Sequence, residues 1–246
     1  MLTEINPHIR AALEEGLGFP LDSFPRSGID LRVSHARTDR PGNLLLAHRI
    51  PGCDGALATA IPRIAEAVRP LLTEMSSAEL FSPLGVAELR RALSEEDGRA
   101  ILEQPGLDYA IASPEAFRPA AAGHRTVLLT GRDIPSVREE FSLRMGERDA
   151  DPPEGLAWAF VGCSGNERVS IAVIRWDEGA TAHIAIAGTK EPFRGRGYGR
   201  AAVSAATEYI LAQGRVPIYG TIRSNIAALR MIRPLGYRLA FETIGA

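Results

Sequence analysis

Hydrophobic positions in the first half of the chain follow a strand-like period in several short segments. Ile29–Val33 alternates between apolar and polar residues, as a half-buried strand does. Leu44–Ala47 and Ala56–Ala60 are apolar runs on either side of the turn-forming segment Pro51–Gly55. These segments predict strands that alternate with turns.

Two segments of the first half instead repeat their apolar residues at helical spacing. The first is Ile61–Leu72, which Pro62 can start and which Pro70 is expected to bend or end early. The second is Pro83–Leu93, with Ser82 as the capping residue. The first half is therefore predicted to be mixed α/β.

The second half predicts a regular order: a strand, a helix, three strands, a helix and a strand. The predicted segments are Thr126–Thr130, Ser136–Met145, Leu156–Val161, Val169–Ile174, Thr181–Ala187, Ala201–Leu211 and Val216–Ile222. The small residues and prolines of Phe117–Gly123 are typical of a linker. We therefore predict an α/β fold with a mixed sheet, divided into a smaller α/β domain over residues 1–120 and a second domain over 121–246.

Composition excludes several classes of function. The chain has 246 residues, 45% of them hydrophobic and 24% charged, as in soluble globular proteins. Its formal net charge of −2 and pI near 6.2 give no overall support for binding nucleic acid or an anionic membrane. With no signal peptide or membrane-spanning run, the expected location is cytoplasmic, with Cys53 and Cys163 reduced.

The glycine-rich segment Arg194–Gly199 lies between the predicted strand ending at Ala187 and the helix Ala201–Leu211. Glycines leave backbone amides uncovered, and a helix that starts there directs its positive dipole end at a bound anion. Arg194, Arg196 and Arg200 add positive charge. The segment is interpreted as a pyrophosphate-binding loop, with an ordinary glycine-rich turn as the alternative.

A dinucleotide-binding fingerprint is a second alternative, because Gly197, Gly199 and Ala202 have its spacing. In that fingerprint the glycines directly follow the strand, and a carboxylate ends the next strand. Here Thr189–Phe193 intervenes and Val216–Ile222 contains no acidic residue. Both differences argue against a nicotinamide-dependent enzyme.

The same residues resemble the signature of the GNAT N-acetyltransferase superfamily, Arg/Gln-x-x-Gly-x-Gly/Ala, with Arg194, Gly197 and Gly199 in the fixed positions. A second block, from Asn225 and Ala228 to Leu235-Gly236-Tyr237, is similar to the family's Asn-x-x-Ala…Leu-Gly-Phe/Tyr segment. The resemblance covers residues 121–246. The N-terminal half lacks this signature, and it is either a degenerate copy of the same fold or an unrelated cap.

The resemblance implies an acyl-coenzyme A site and no metal. It implies that strands Thr181–Thr189 and Val216–Ile222 splay apart and hold the pantetheine arm between them. The residues that it implies for acetyl-CoA binding are Ala187, Gly188, Thr189, Arg194, Gly195, Arg196, Gly197, Tyr198, Gly199, Arg200 and Asn225. Asn225 is also a good helix N-cap, and capping is the alternative role.

Catalysis of acetyl transfer to an amine needs a proton acceptor and a donor for the thiolate. Relatives often carry a Glu as base on the strand before the loop, and His183 occupies the matching position here. Histidine titrates near neutral pH, so it is a suitable base; a solvated or structurally satisfied histidine is the alternative. Asp177 and Glu178 are the second choice.

The family's usual general acid is missing. Relatives commonly place a Tyr where this chain has Ile232, so Tyr219 on the neighbouring strand is the candidate donor. A thiolate is a fair leaving group, so we expect the loss to slow the reaction without abolishing it.

The resemblance therefore implies an N-acetyltransferase that moves an acetyl group from acetyl-CoA to a primary amine by direct attack in a ternary complex. The alternative is a catalytically weak acyl-CoA sensor, favoured by Ile232 and the absence of a Glu at position 183. The acidic segment 147–154 suits a cationic acceptor but also a solvated loop. The family often forms homodimers.

Overall fold

The computed structural model describes residues 20–34, 44–94, 97–98, 104–142, 152–177 and 179–245, together with Pro7, Arg10, Ala11 and Glu14. In this part of the chain ten strands form one mixed sheet. In sequence order the strands are β1 (Ser27–Val33), β2 (Leu45–Arg49), β3 (Asp54–Ala60), β4 (Gly106–Ala110), β5 (Arg125–Leu129), β6 (Ala159–Ser164), β7 (Glu167–Trp176), β8 (Thr181–Thr189), β9 (Val216–Ile222) and β10 (Arg238–Gly245). Their order across the sheet is β1-β3-β2-β10-β4-β9-β8-β7-β6-β5.

The helices of the described residues cover both faces of this sheet. They are α1 (Pro62–Glu74), α2 (Ser77–Leu80), α3 (Pro83–Ala92), α4 (Ile134–Phe141), α5 (Tyr198–Ala212) and α6 (Ile226–Ile232). Helix α1 continues through Pro70 to Glu74, so the early end that was one of the two expectations for Pro70 is wrong, and the bend stays a prediction. Pro70 is exposed, and the helix buries Ile64, Val68 and Leu72 on its other side, so packing outweighs the missing hydrogen bond.

In the second half of the chain, helices pack against both faces of the sheet. Helix α5 lies against β6, β7 and β8 and shares a core with α6 that includes Ala202, Ala206, Ile210 and Tyr237. Helix α4 covers the other face through Ile134 and Val137, which pack with Trp158 and Val173. The sheet is therefore sandwiched between helices where β6 to β8 run.

Strand β10 joins the two halves of the chain. It lies between β2 and β4, both from the N-terminal half, and is antiparallel to each. Strand β4 in turn lies between β10 and β9. The Glu242 carboxylate of β10 is buried and accepts hydrogen bonds from Arg49 on β2, with Nε at 2.6 Å, and from Arg223 at 3.2 Å. The two-domain division stays a prediction, and one sheet runs through both halves.

Strands β8 and β9 separate part of the way along. They pair in parallel from Thr181 with Val216 to Ile184 with Tyr219, and the pairing stops there. Strand β8 has a bulge at the same point, because its register with β7 shifts between Ile184 and Ile186 and leaves Ala185 as the extra residue. The predicted splay between these two strands is confirmed.

Candidate functional site

A cavity of about 430 Å³ opens where the two strands separate, on the sheet face that α5 and α6 cover. Its walls come from the end of β8, the glycine-rich loop, the start of α5, strand β9 and helix α6. The lining residues are Ala187, Gly188, Thr189, Phe193, Arg194, Gly195, Gly197, Tyr198, Gly199, Arg200, Tyr219, Asn225, Ala227, Ala228, Arg230 and Met231. The structure thus brings together the predicted cofactor residues other than Arg196.

The loop presents backbone amides to this cavity. Gly197 is the N-cap of α5 and has a φ of 91°, a left-handed conformation that L side chains rarely adopt. The first N–H groups of a helix have no acceptor within the helix, so the start of α5 directs unpaired donors and a positive dipole end into the cavity. This is the geometry that binds phosphate groups at helix N-termini.

Arginines add charge around the loop in different ways. Arg194 lines the cavity, and its Nε donates to the backbone oxygen of Thr189 at 3.1 Å, which ties the loop to the end of β8. Arg200 also lines the cavity. Arg196 is not among the lining residues, and its guanidinium lies 5.9 Å from the ring centroid of Phe193.

Close packing holds the start of α5 against the sheet. Ser170 on β7 donates to the backbone oxygen of Tyr198 at 2.9 Å, and the His124 and Tyr198 rings lie 4.3 Å apart. An added Cβ at Gly199 would lie 2.7 Å from the Thr189 hydroxyl, so a side chain there would push the helix from β8. The residues present therefore fit a bound pyrophosphate: a fixed helix start, open glycine amides and nearby arginines.

Tyr219 lines the cavity at the point where β8 and β9 separate. Its ring packs against Tyr237 with centroids 6.2 Å apart, and only 6% of the residue is exposed. Burial raises the pKa of Tyr219 to about 12. The phenol therefore stays protonated near neutral pH, where it can donate a hydrogen bond or a proton and is a poor base.

His183 lies on the opposite face of the sheet and does not line the cavity. Its neighbours in β8, Ala182 and Ile184, belong to the core on the cavity side, so its side chain points away from that side. The His183 Nε2 is 3.2 Å from the Asp177 carboxylate, which also accepts a 2.6 Å hydrogen bond from Thr181. Burial alone would raise the pKa of Asp177, but its interactions with His183, Thr181 and Arg175 hold that pKa below the usual range.

Two further predicted positions have clear local roles. The side chain of Asn225 accepts from the Ala228 amide at 3.1 Å, which confirms its capping role, and the residue also lines the cavity. Ile232, at the family's usual Tyr position, is fully buried in the core with Tyr237. Glu178 lies outside the described residues.

Five lining residues were not among the predicted site residues, although Ala228 belongs to the second block of the resemblance: Phe193, Ala227, Ala228, Arg230 and Met231. Four of them lie on α6 within two turns of Asn225, so the helical spacing from that residue was the available signal. Arg230 is exposed and adds a third lining arginine.

Residues 130–237 match the model of the acetyltransferase (GNAT) family, which is less than half of the chain. A comparison with curated proteins gives no match.

None of the helices in the described residues is long and apolar enough to cross a membrane. The described residues also contain no group of three or more His, Cys, Asp or Glu side chains able to hold a metal ion.

Solved structures of GNAT proteins resemble parts of the chain. A protein from Novosphingobium aromaticivorans, described as an acetyltransferase of the GNAT family, is 21% identical, with a TM-score of 0.44 over 57% of this chain and 62% of that one. A GCN5-related N-acetyltransferase from Kribbella flavida is 16% identical, with a TM-score of 0.47 over 66% of this chain and 74% of that one. The chain thus spans less than two thirds of the Novosphingobium protein.

Proposed function

Residues 130–237 of this chain form a GNAT acetyltransferase domain, and on that premise we propose that the protein transfers an acetyl group from acetyl-CoA to a primary amine. The match of these residues to the family model supports acyl transfer in general. The acetyl donor, the amine acceptor and the residue roles below are our proposal. The acceptor is taken to be the amine of a small molecule or a peptide.

The observation that carries this proposal is the continuity of the cavity from the glycine-rich loop to the splay between β8 and β9. Gly197 and the start of α5 lie at one end, and Tyr219 lies where the strands separate. An elongated substrate with a phosphate group at one end and a thioester at the other matches this arrangement. The pyrophosphate of acetyl-CoA would bind the amides that start α5, with Arg194 and Arg200 beside it.

The splay provides the place for the pantetheine arm. Beyond Ile184 the backbone of β8 has no partner in β9, so its amide and carbonyl groups on that side are available over Ala185–Gly188. An extended chain with amide groups can pair with such a strand edge. The bulge at Ala185 changes the direction of the backbone groups at the point where the thioester would lie.

The reaction needs the acceptor nitrogen to be neutral. That nitrogen attacks the thioester carbonyl carbon, the N–C bond forms, the C–S bond breaks and sulfur leaves with the electron pair. His183 accepts the proton lost by nitrogen, and the sulfur takes a proton from Tyr219 or from water. Asp177 acts as a positioning residue, because it holds the imidazole by its Nε2.

His183 and Tyr219 lie on opposite faces of the sheet, and the splay makes that arrangement usable. Where the strands have separated, the acceptor can approach from the His183 face while the thioester lies on the cavity face. The two substrates then meet in one ternary complex, which is the arrangement that direct attack requires.

A thiol-release assay tests this function. Purified protein is incubated with acetyl-CoA and a panel of amines, and free coenzyme A is followed with a thiol reagent. Amine-dependent release that is accompanied by acetylated amine in mass spectra supports the proposal. Binding of acetyl-CoA without release from any amine would favour the second candidate.

That second candidate is an acyl-CoA sensor with little or no turnover. Ile232 favours it, because a fully buried isoleucine stands where the family commonly places its acid.

Three other expectations stay predictions: a cytoplasmic location, a homodimer and the absence of nucleic-acid binding. Residues 1–120 were predicted from the sequence to form a separate domain. Their strands share one sheet with the strands of the second half, and the division into two domains stays a prediction.

A further inference from the structure

Strand β4 places a carboxylate directly beside the splay. Asp108 is the register partner of Gly220, the first β9 residue after the last pair between β8 and β9. The space above Gly220 faces this carboxylate, because a Cβ added at that glycine would lie 3.2 Å from Asp108 Oδ1. Gly220 is itself exposed, so the carboxylate is reached across a residue with no side chain.

Asp108 belongs to the sheet face opposite the acetyl-CoA cavity. Its strand neighbours Leu107 and Tyr109 pack in the same core as Tyr219, which lines the cavity. Successive side chains in a strand point to opposite faces, so Asp108 points to the other one. His183 points to that face too, since its register partner in β9 is Ile218, two residues before Gly220.

A hydrogen bond from β10 orients the Asp108 carboxylate. Thr243 on β10 donates to Asp108 Oδ2 at 2.7 Å, while Oδ1 is the oxygen nearest to Gly220. Burial raises the pKa of Asp108, and this influence outweighs the hydrogen bond from Thr243 and the electrostatic interactions with His183 and Arg175, which lower it. A partly buried carboxylate of this kind is stabilised by a cation that binds it directly.

We propose that Asp108 binds the ammonium group of the acceptor amine and holds it at the splay. The acceptors would be aliphatic amines that arrive as ammonium ions near neutral pH. The bound nitrogen loses this first proton to water before it attacks as the neutral amine, and His183 takes the second proton. The proposal rests on the proposed acetyl transfer, and it gives the N-terminal half a role, because that half supplies the residue that selects the substrate.

The test compares three variants with the wild type. Asp108→Asn removes the charge and keeps an oxygen for Thr243, Thr243→Val removes that hydrogen bond and keeps the charge, and Glu66→Gln removes an exposed charge on α1. The acceptors are butylamine, 1,4-diaminobutane and aniline, which is uncharged at pH 7.5. Acetyl-CoA affinity is measured in parallel by calorimetry.

We expect Asp108→Asn to raise KM for the two alkylamines by about tenfold or more, a loss of about 1.4 kcal/mol, with aniline kinetics and acetyl-CoA affinity unchanged. Thr243→Val should raise the same KM values by a smaller factor, because it loosens the carboxylate but keeps its charge, and Glu66→Gln should stay near the wild type. Wild-type KM values in Asp108→Asn would overturn the inference. So would an equal loss for aniline and alkylamines, or the same loss in Thr243→Val, since either result means a structural role.

Failure of the proposed function gives a different pattern. If the wild type binds acetyl-CoA but releases no thiol with any amine, saturation-transfer NMR of 1,4-diaminobutane with coenzyme A-loaded protein replaces the kinetics. A signal that Asp108→Asn loses and Glu66→Gln keeps would support the ammonium site. No signal from the wild type, or equal signals from both variants, would overturn it.

Discussion

His183 is the residue on which the proposed proton transfer depends. We expect His183→Gln to lower kcat by about 100- to 10,000-fold, the usual contribution of a general base. Acetyl-CoA affinity should not change, because His183 lies on the face opposite the cavity. Asp177→Asn serves as the comparison and should give a smaller loss, since that carboxylate positions the imidazole but does not take the proton from the amine. Wild-type turnover in His183→Gln would remove the residue from the mechanism.

Tyr219 is the candidate acid in place of the family's usual tyrosine. Its phenol is protonated at neutral pH and lines the cavity. We expect Tyr219→Phe to lower kcat by about tenfold. This is less than the usual contribution of a general acid, because a thiolate is already a fair leaving group. Tyr109→Phe is the matched control, as Tyr109 is the buried register partner of Tyr219 and does not line the cavity. Steady-state kinetics of both variants checks this. Unchanged turnover in Tyr219→Phe would exclude it as the acid.

Single residues were predictable from the sequence where a short motif defines them. Gly197, Gly199 and Asn225 were identified because their chemistry depends on backbone conformation and helix capping, which are local. Asp108 was not, because its significance comes from a pairing with Gly220 more than a hundred positions away in the sequence. Met231 and Arg230 show an intermediate case, since only their helical spacing from Asn225 connects them to the site.

Helix α1 contains an exposed proline in its interior, and this provides a stability test at the scale of one element. Pro70 cannot donate to the carbonyl four residues before it, which costs about 3 kcal/mol inside a helix. Alanine would give the unfolded chain more conformational freedom, which offsets about 0.4–1 kcal/mol, so Pro70→Ala should stabilise the protein by about 2 kcal/mol. Pro62→Ala should give no gain, because a proline at the start of a helix replaces an N–H that has no acceptor anyway. Urea unfolding monitored by circular dichroism measures both. A destabilised Pro70→Ala would contradict this account of α1.

Elements were predicted well where their hydrophobic period was clear, and less well where tertiary contacts set their limits. The pattern predicted Val216–Ile222 with the bounds that the structure has, because β9 is a short, mostly apolar run flanked by turns. The strand predicted at Leu156–Val161 is observed at Ala159–Ser164, since its hairpin partner β7 determines where pairing begins. The bulge at Ala185 has no local signal, because it depends on the register with β7.

At the scale of the whole molecule, the C-terminal half is incomplete without β4. Leu107 and Tyr109 of that strand are buried in the core below α5 and α6, and each such side chain contributes about 1.5–3 kcal/mol. Together they are a large part of a typical stability of about 5–15 kcal/mol. A fragment of residues 121–246 would also expose both edges of β10 and one edge of β9.

We therefore expect the fragment 121–246 to aggregate or to unfold without a cooperative transition, whereas the full chain unfolds cooperatively. Thermal unfolding and size-exclusion chromatography of both proteins would show this. A monomeric fragment that unfolds cooperatively and binds acetyl-CoA like the full chain would contradict the structural account. It would instead support two independently folding domains.

Sequence reasoning could not predict this arrangement of the sheet. It divided the chain at Phe117–Gly123 from local composition, and that segment does run along the second half, with Arg118 donating to the Leu235 oxygen and Ala120 to the Ser204 hydroxyl. The placement of β10 between β2 and β4 depends on contacts between the two ends of the chain. Such pairings leave no periodic signal in either segment.

The central claim is that the loop at the start of α5 binds acetyl-CoA, and calorimetric titration of three proteins tests it directly. These are the wild type, Gly197→Val and Gly165→Val. Both glycines have positive φ, at 91° and 58°, so valine strains the backbone at each, but Gly165 is in the β6–β7 turn with nothing within 4 Å. We predict that the wild type and Gly165→Val bind acetyl-CoA and that Gly197→Val binds at least about 100-fold more weakly, a loss of about 2.7 kcal/mol. Wild-type affinity in a folded Gly197→Val protein, or no binding by the wild type, would contradict the account.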